Sequence, residues 1–107
     1  MVDYELNELK REFLDEAREK VDEMQTALDR VRERESLDRL AYLAHQLKGS
    51  GGSYGYQRIS TDAAALEKVV ESIAAGGNGQ GATEEEKIQQ YVLNLRTEID
   101  RAAKELH

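Results

Sequence analysis

Residues 36–55 read SLDRLAYLAHQLKGSGGSYG. Leu37, Leu40, Ala44, Leu47, Gly51 and Tyr54 recur in steps of three and four. That spacing lines one face of an α-helix. Ser36 is placed to cap its start, and Gly55 to end it. The other glycines, Gly49, Gly51 and Gly52, fall within the helix, where each costs ~1 kcal/mol relative to alanine. They ask for a reason beyond helix formation.

The same periodicity extends outward in both directions. Leu6, Leu9, Phe13, Ala17, Val21, Met24, Leu28 and Val31 form a stripe on a long first helix, about residues 4–33. Ile59, Ala63, Leu66, Val70 and Ile73 mark a third helix, about 57–75. Ile88, Val92, Leu95, Ile99, Ala102 and Leu106 mark a fourth, about 84–106, with Thr83 and Glu86 spaced as a capping box. Between the last two lies Gly76-Gly77-Asn78-Gly79-Gln80-Gly81, read as a flexible hinge. The absence of proline leaves the helices unbroken, and no segment alternates as a strand does. Four amphipathic helices bury their stripes only against one another. The expected fold is all-α, an antiparallel up-down-up-down four-helix bundle filling one domain, residues 1–107.

Composition narrows the chemistry. In 107 residues there is no cysteine, which removes disulfides, zinc fingers and thiol nucleophiles. Two histidines, one of them the terminal His107, argue against a histidine-based metal cluster. A net charge of −7 argues against a nucleic-acid partner. No apolar run approaches the ~20 residues of a membrane span, and no signal-peptide pattern opens the chain. A cytoplasmic domain is expected.

His45 breaks the bundle pattern. On a wheel of ~100° per residue it points about 130° away from its own helix's apolar stripe. It should therefore face outward, among Ala41, Tyr42, Lys48, Gly49 and Gly52. Three of those five are very small. Lys48 supplies a cation one turn away. An open histidine beside a cation is a landing site for a phosphoryl group and for the protein that delivers it; the plainer alternative is a solvated histidine on a polar face.

The run Ala44-His45-Gln46-Leu47-Lys48-Gly49, followed by small residues and by Gly55 ten positions after His45, closely resembles the signature of histidine-containing phosphotransfer (HPt) domains. Gly55-Tyr56 and Ala65-Leu66-Glu67 also look like the start and middle of the family's third helix, so the resemblance spans nearly the whole chain. It implies that His45 carries the phosphoryl group, through Nε2. It implies that Lys48 offsets the arriving charge, and that Gly49 leaves room for a partner's active site. Glu67, 22 residues after His45, matches the polar residue that orients the imidazole through its other nitrogen.

The implied partners are response-regulator receiver domains and, as a further option, a sensor histidine kinase. The acyl phosphate and Mg²⁺ would belong to the receiver, so no cofactor of the chain's own is expected. The glycines do not make an ATP-binding P-loop: no Gly-Lys-Ser/Thr follows them and no strand precedes them. Ala41, Tyr42, Gly49, Gly52 and a partly exposed Leu14 are candidates for the receiver-docking patch. A monomer is expected. Two alternatives stay open: a phosphoacceptor domain belonging to a larger chemotaxis-type or hybrid kinase, and a helical docking module without phosphoryl chemistry.

Overall fold

The computed structural model describes residues 3–30, 33–76 and 81–106. Four helices follow in order: α1 (Asp3–Leu28), α2 (Arg34–Ser53), α3 (Gln57–Ala74) and α4 (Gly81–Glu105), with no strand among the described residues. Each helix packs on its neighbours in sequence, and α1 closes the ring against α4. Pairings across the grooves give the directions. Arg18 meets Asp100 while Asp22 meets Arg96. His45 meets Glu67, and nearer the far end Arg34 reaches the Ala74 carbonyl. One helix rises as the next descends, so the chain is an antiparallel four-helix bundle.

The apolar stripes meet in one core. Phe13, Ala17, Val21 and Met24 of α1 face Leu37, Leu40, Leu43, Ala44 and Leu47 of α2. Ile59, Ala63, Leu66 and Val70 of α3 and Ile88, Val92, Leu95 and Ile99 of α4 complete it. The core holds most of the expected stripe in each of the four helices, with Leu43 as an added member of the second, while Leu6 and Leu9 of the first lie outside it.

Several details differ from the sequence expectation. Leu14 is not partly exposed but buried, at 1%. It sits ~100° around α1 from Phe13, on the side where Ala103 of α4 and Leu106, just past its end, line the same cleft. A helix packed between two neighbours buries a wider arc than a single stripe, and this removes Leu14 from any docking patch. Leu9, by contrast, is 44% exposed and Tyr4 72%. The register of α1 on α4 carries the first turns of α1 past the end of the bundle, so Tyr4, Glu5, Glu8 and Leu9 are exposed, while Lys10 still reaches over the Tyr56 ring.

Helix α1 stops at Leu28 rather than near residue 33, and Val31 lies outside the described residues. Helix α2 already runs from Arg34, with Glu33 as its N-cap, so Ser36 is inside the first turn and not the cap. Helix α4 is under way at Gly81, which places Thr83 within its first turn; the Thr83 side chain and hinge residues 77–80 lie outside the described set.

The α2–α3 corner is a tight glycine turn. Gly55 has φ +82°, a conformation that costs L-residues energy and glycine little. The Tyr56 N–H donates to the Gly51 carbonyl at 2.8 Å, and the Gly55 N–H to Gly52 at 3.2 Å. This pair is the Schellman arrangement that satisfies a helix's last carbonyls. Gly51 is buried because α3 lies directly on it: a Cβ there would stand 3.2 Å from the Ser60 nitrogen and 3.3 Å from Ile59. The costly glycine is what lets α2 and α3 close. Tyr54 and Tyr56 then stack on Phe13, with ring centroids 5.3 and 5.7 Å away, locking the corner to α1.

Candidate functional site

Closure of α2 on α3 brings His45 opposite Glu67. The His45 side chain is 66% exposed, while that of Glu67 is only 13% exposed. His45 Nδ1 lies 2.9 Å from Glu67 Oε2. An ionised carboxylate only accepts hydrogen bonds, so Nδ1 carries the proton. In the tautomer this contact favours, Nε2 keeps its lone pair free on a side chain that is mostly exposed.

Lys48 follows His45 by three residues, on the same helical face. Its Nζ lies 3.0 Å from Glu67 Oε1. One carboxylate therefore holds the imidazole with one oxygen and the ammonium with the other. Burial works to raise the Glu67 pKa, but the hydrogen bonds from Lys48 and His45, together with their charges, outweigh it and leave the carboxyl below its ordinary value. Glu67 stays ionised throughout the neutral range, which is what an orienting acceptor requires. The Lys48 carbonyl also accepts the Ser60 Oγ–H at 2.8 Å, a second tie between the two helices beside the site.

The ground around His45 is low, as the spacing predicts. A Cβ on Gly49 would meet nothing within 4 Å, and one on Gly52 only the Ser60 Oγ at 3.5 Å. Ala41 is half-buried against the core. Tyr42 stands out from this surface at 51% exposure. The structure thus joins His45, Lys48 and Glu67 directly, leaves Tyr42, Gly49 and Gly52 on the outer surface of α2 near them, and keeps Leu14 out of the site.

Sequence reasoning missed two things here. Arg39 lies over the Tyr42 ring, 5.2 Å from its centroid, and pairs with Glu23 of α1. The spacing of Arg39 and Tyr42, three residues apart, carried that signal; the contribution of Glu23 from another helix did not. The other is a carboxyl pair away from the site. Glu98 of α4 faces Asp62 of α3, with its Oε1 buried and lacking a hydrogen-bond partner. Burial first, and then the Asp62 carboxyl, push Glu98 up to about 8.

Among the described residues no group of three or more His, Cys, Asp or Glu side chains comes together as a metal site. No helix there is long and apolar enough to cross a membrane. Comparisons with curated proteins and with solved structures return no match. The family model named Hpt domain matches residues 8–105. That span contains all four helices' core stripes, the outward histidine and its carboxylate partner. Proteins of this kind relay phosphoryl groups on histidine and work with response regulators. By its sequence and its bundle, the chain belongs to the Hpt domain family.

Proposed function

We propose that this chain carries a phosphoryl group on His45 Nε2 and exchanges it with the phosphoacceptor aspartate of response-regulator receiver domains. The observation that carries the reading is the Nδ1–Glu67 contact at 2.9 Å. It assigns the ring proton to the inner nitrogen and turns the nucleophilic one outward.

In the forward step the Nε2 lone pair attacks the phosphorus of the receiver's aspartyl phosphate. The Nε2–P bond forms, the acyl O–P bond breaks, and the aspartate leaves as a carboxylate. No proton has to move. The ring becomes cationic with Nδ1–H retained, and Glu67 faces that charge directly. Lys48 is near enough to exchange its contact with Glu67 for the phosphoryl oxygens, offsetting charge as it develops. The reverse step restores the starting pair. The Mg²⁺ and the acyl phosphate belong to the receiver in this reading. The chain acts as a carrier without an ATP site of its own, monomeric and cytoplasmic.

The test is phosphotransfer profiling with labelled receiver domains. A phosphorylated cognate receiver should label the wild-type chain within seconds to minutes, and His45→Gln should abolish labelling while the thermal melt is unchanged. Label retained in that variant would refute the assignment.

A further inference from the structure

Phosphoryl transfer needs the two reacting side chains in contact, so a partner must close over the α2 face around His45. A specific interface covers about 800 Å² on each partner, far more than one imidazole offers. The two directions along α2 from His45 differ. Toward the C-terminus lie Gly49 and Gly52, which admit a partner but present it no side chain. Toward the N-terminus, one turn away, stands Tyr42. Four large hydrophobic side chains are exposed among the described residues: Tyr4, Leu9, Tyr42 and Leu93. Of these, Tyr42 alone shares a helix with His45, three residues before it and so on the same face.

This ring is held rather than free. Gln46 Nε2 donates to the Tyr42 hydroxyl at 2.8 Å. The Arg39 guanidinium lies over the ring, within the range of a cation–π contact. Arg39 is in turn clamped by Glu23 of α1, Nη2 to Oε1 at 3.0 Å and Nε to Oε2. The Glu23 carboxyl sits below its ordinary value, chiefly because of the hydrogen bond from Arg39, so the clamp persists at neutral pH. An exposed aromatic with its rotamer already set loses little freedom on binding, and tyrosine is a preferred anchor at interface centres.

We propose that a receiver docked on His45 also covers Tyr42, and that the Glu23–Arg39 pair poses this ring and so helps determine which receivers are accepted. The proposal rests on the phosphoryl-carrier reading, and the footprint it describes is continuous with the phosphoacceptor face. Tyr42 is the contact residue; Arg39 and Glu23 are positioning residues that act through it.

The experiment is single-turnover transfer from a phosphorylated receiver that labels the wild-type chain, measured across receiver concentration. Tyr42→Ala should raise the half-saturating concentration about tenfold or more and lower the maximal rate little, the split expected when binding is lost and chemistry is kept. Arg39→Ala and Glu23→Gln should each raise it roughly threefold, and Tyr42→Phe should stay close to wild type because the ring and its cation remain. The double variant Glu23→Arg with Arg39→Glu restores an ion pair but sets a carboxylate over the ring; it should melt like wild type yet keep the raised half-saturation. Phosphoramidate, a small donor that needs no docking surface, reads His45 reactivity separately and should label every variant. An unchanged half-saturation in Tyr42→Ala overturns the proposal, and so does loss of phosphoramidate labelling in that variant, which would mean a disturbed histidine rather than a lost contact. Recovery of half-saturation in the charge-swapped pair removes Arg39 and Glu23 from it. If no phosphorylated receiver labels the wild-type chain, the carrier reading falls and this one with it.

Discussion

Helix α3 borders two grooves, and each holds a glutamate whose carboxyl is shifted in the opposite direction from the other's. In the α2–α3 groove, Glu67 meets Lys48 and His45 and is held below its ordinary pKa despite burial. In the α3–α4 groove, Glu98 meets Asp62; the nearby Arg58 and Arg101 do not compensate, and it rises to about 8. The same functional group, on the same fold, is thus ionised in one place and protonated at neutral pH in the other. Burial raises both and is the main cause at Glu98, with Asp62 adding to it; at Glu67 the cationic partners outweigh it. The first groove holds an ionised acceptor against His45 and Lys48. The second sets a raised Glu98 carboxyl against Asp62 across the α3–α4 groove.

Breaking the first groove should have the largest effect. Lys48→Ala removes the cation and should slow transfer from a receiver by roughly tenfold or more, with the melt little changed. Glu67→Gln should do comparable harm, because an amide can donate to Nδ1 as well as accept from it. A ¹⁵N NMR spectrum should then show the ring losing its single preferred tautomer. If both variants transfer at wild-type rates, the groove is only structural.

The next effect concerns how that groove is built. Gly51→Ala should destabilise the bundle by about 1–3 kcal/mol in denaturant melts, since the added methyl would press on backbone at Ser60. Gly49→Ala should do the reverse, adding up to ~1 kcal/mol through helix propensity alone, because the site is open. Its methyl would nonetheless stand where a partner approaches, so transfer should slow while stability rises. Opposite signs in the two readouts would sharpen the distinction between packing glycines and access glycines; equal signs would erase it.

The second groove gives the subtlest test. Because the folded pKa of Glu98 lies above its unfolded value, the native state holds its proton more tightly. The stabilisation is complete below about pH 4.5 and is lost as pH rises to about 8. Glu67 has the opposite sign: its contribution is present at neutral pH and lost on acidification. Glu98→Gln should therefore stabilise the bundle above about pH 8 by ~1–2 kcal/mol, a figure reduced for partial solvent screening, or a few degrees in Tm. It should leave phosphotransfer unchanged. A flat difference between wild type and variant across that range would mean that the fold does not raise the Glu98 carboxyl.

Much of this was legible in the chain. The three- and four-residue spacing of apolar side chains marked every helix and most of the core. The same geometry turned His45 outward without reference to any family. Position 67 was reached only through the resemblance, since nothing local marks it among the many acidic residues. Leu14 was misplaced because a single stripe underestimates the arc buried by a helix wedged between two others. Leu9 failed for a different reason: periodicity does not reveal where a helix outruns its neighbours. The Glu23–Arg39 clamp and the Asp62–Glu98 pair each join side chains from two helices. They depend on register across a groove, which a linear pattern does not specify.

The three-residue turn at Tyr54–Tyr56 bears on how the molecule assembles. It joins the two helices that share the most extensive interface of the bundle, and few residues separate the partners it brings together. Such local pairing forms early, because closing a short loop costs little chain entropy. The α1–α4 seam, by contrast, unites opposite ends of the chain. Kinetic consequences divide accordingly. Substitutions in the α2–α3 hairpin, including those at the histidine site, are expected to change the folding rate, and those at the Arg18–Asp100 seam the unfolding rate. Any change made at the His45 groove would then act at once on how quickly the chain folds.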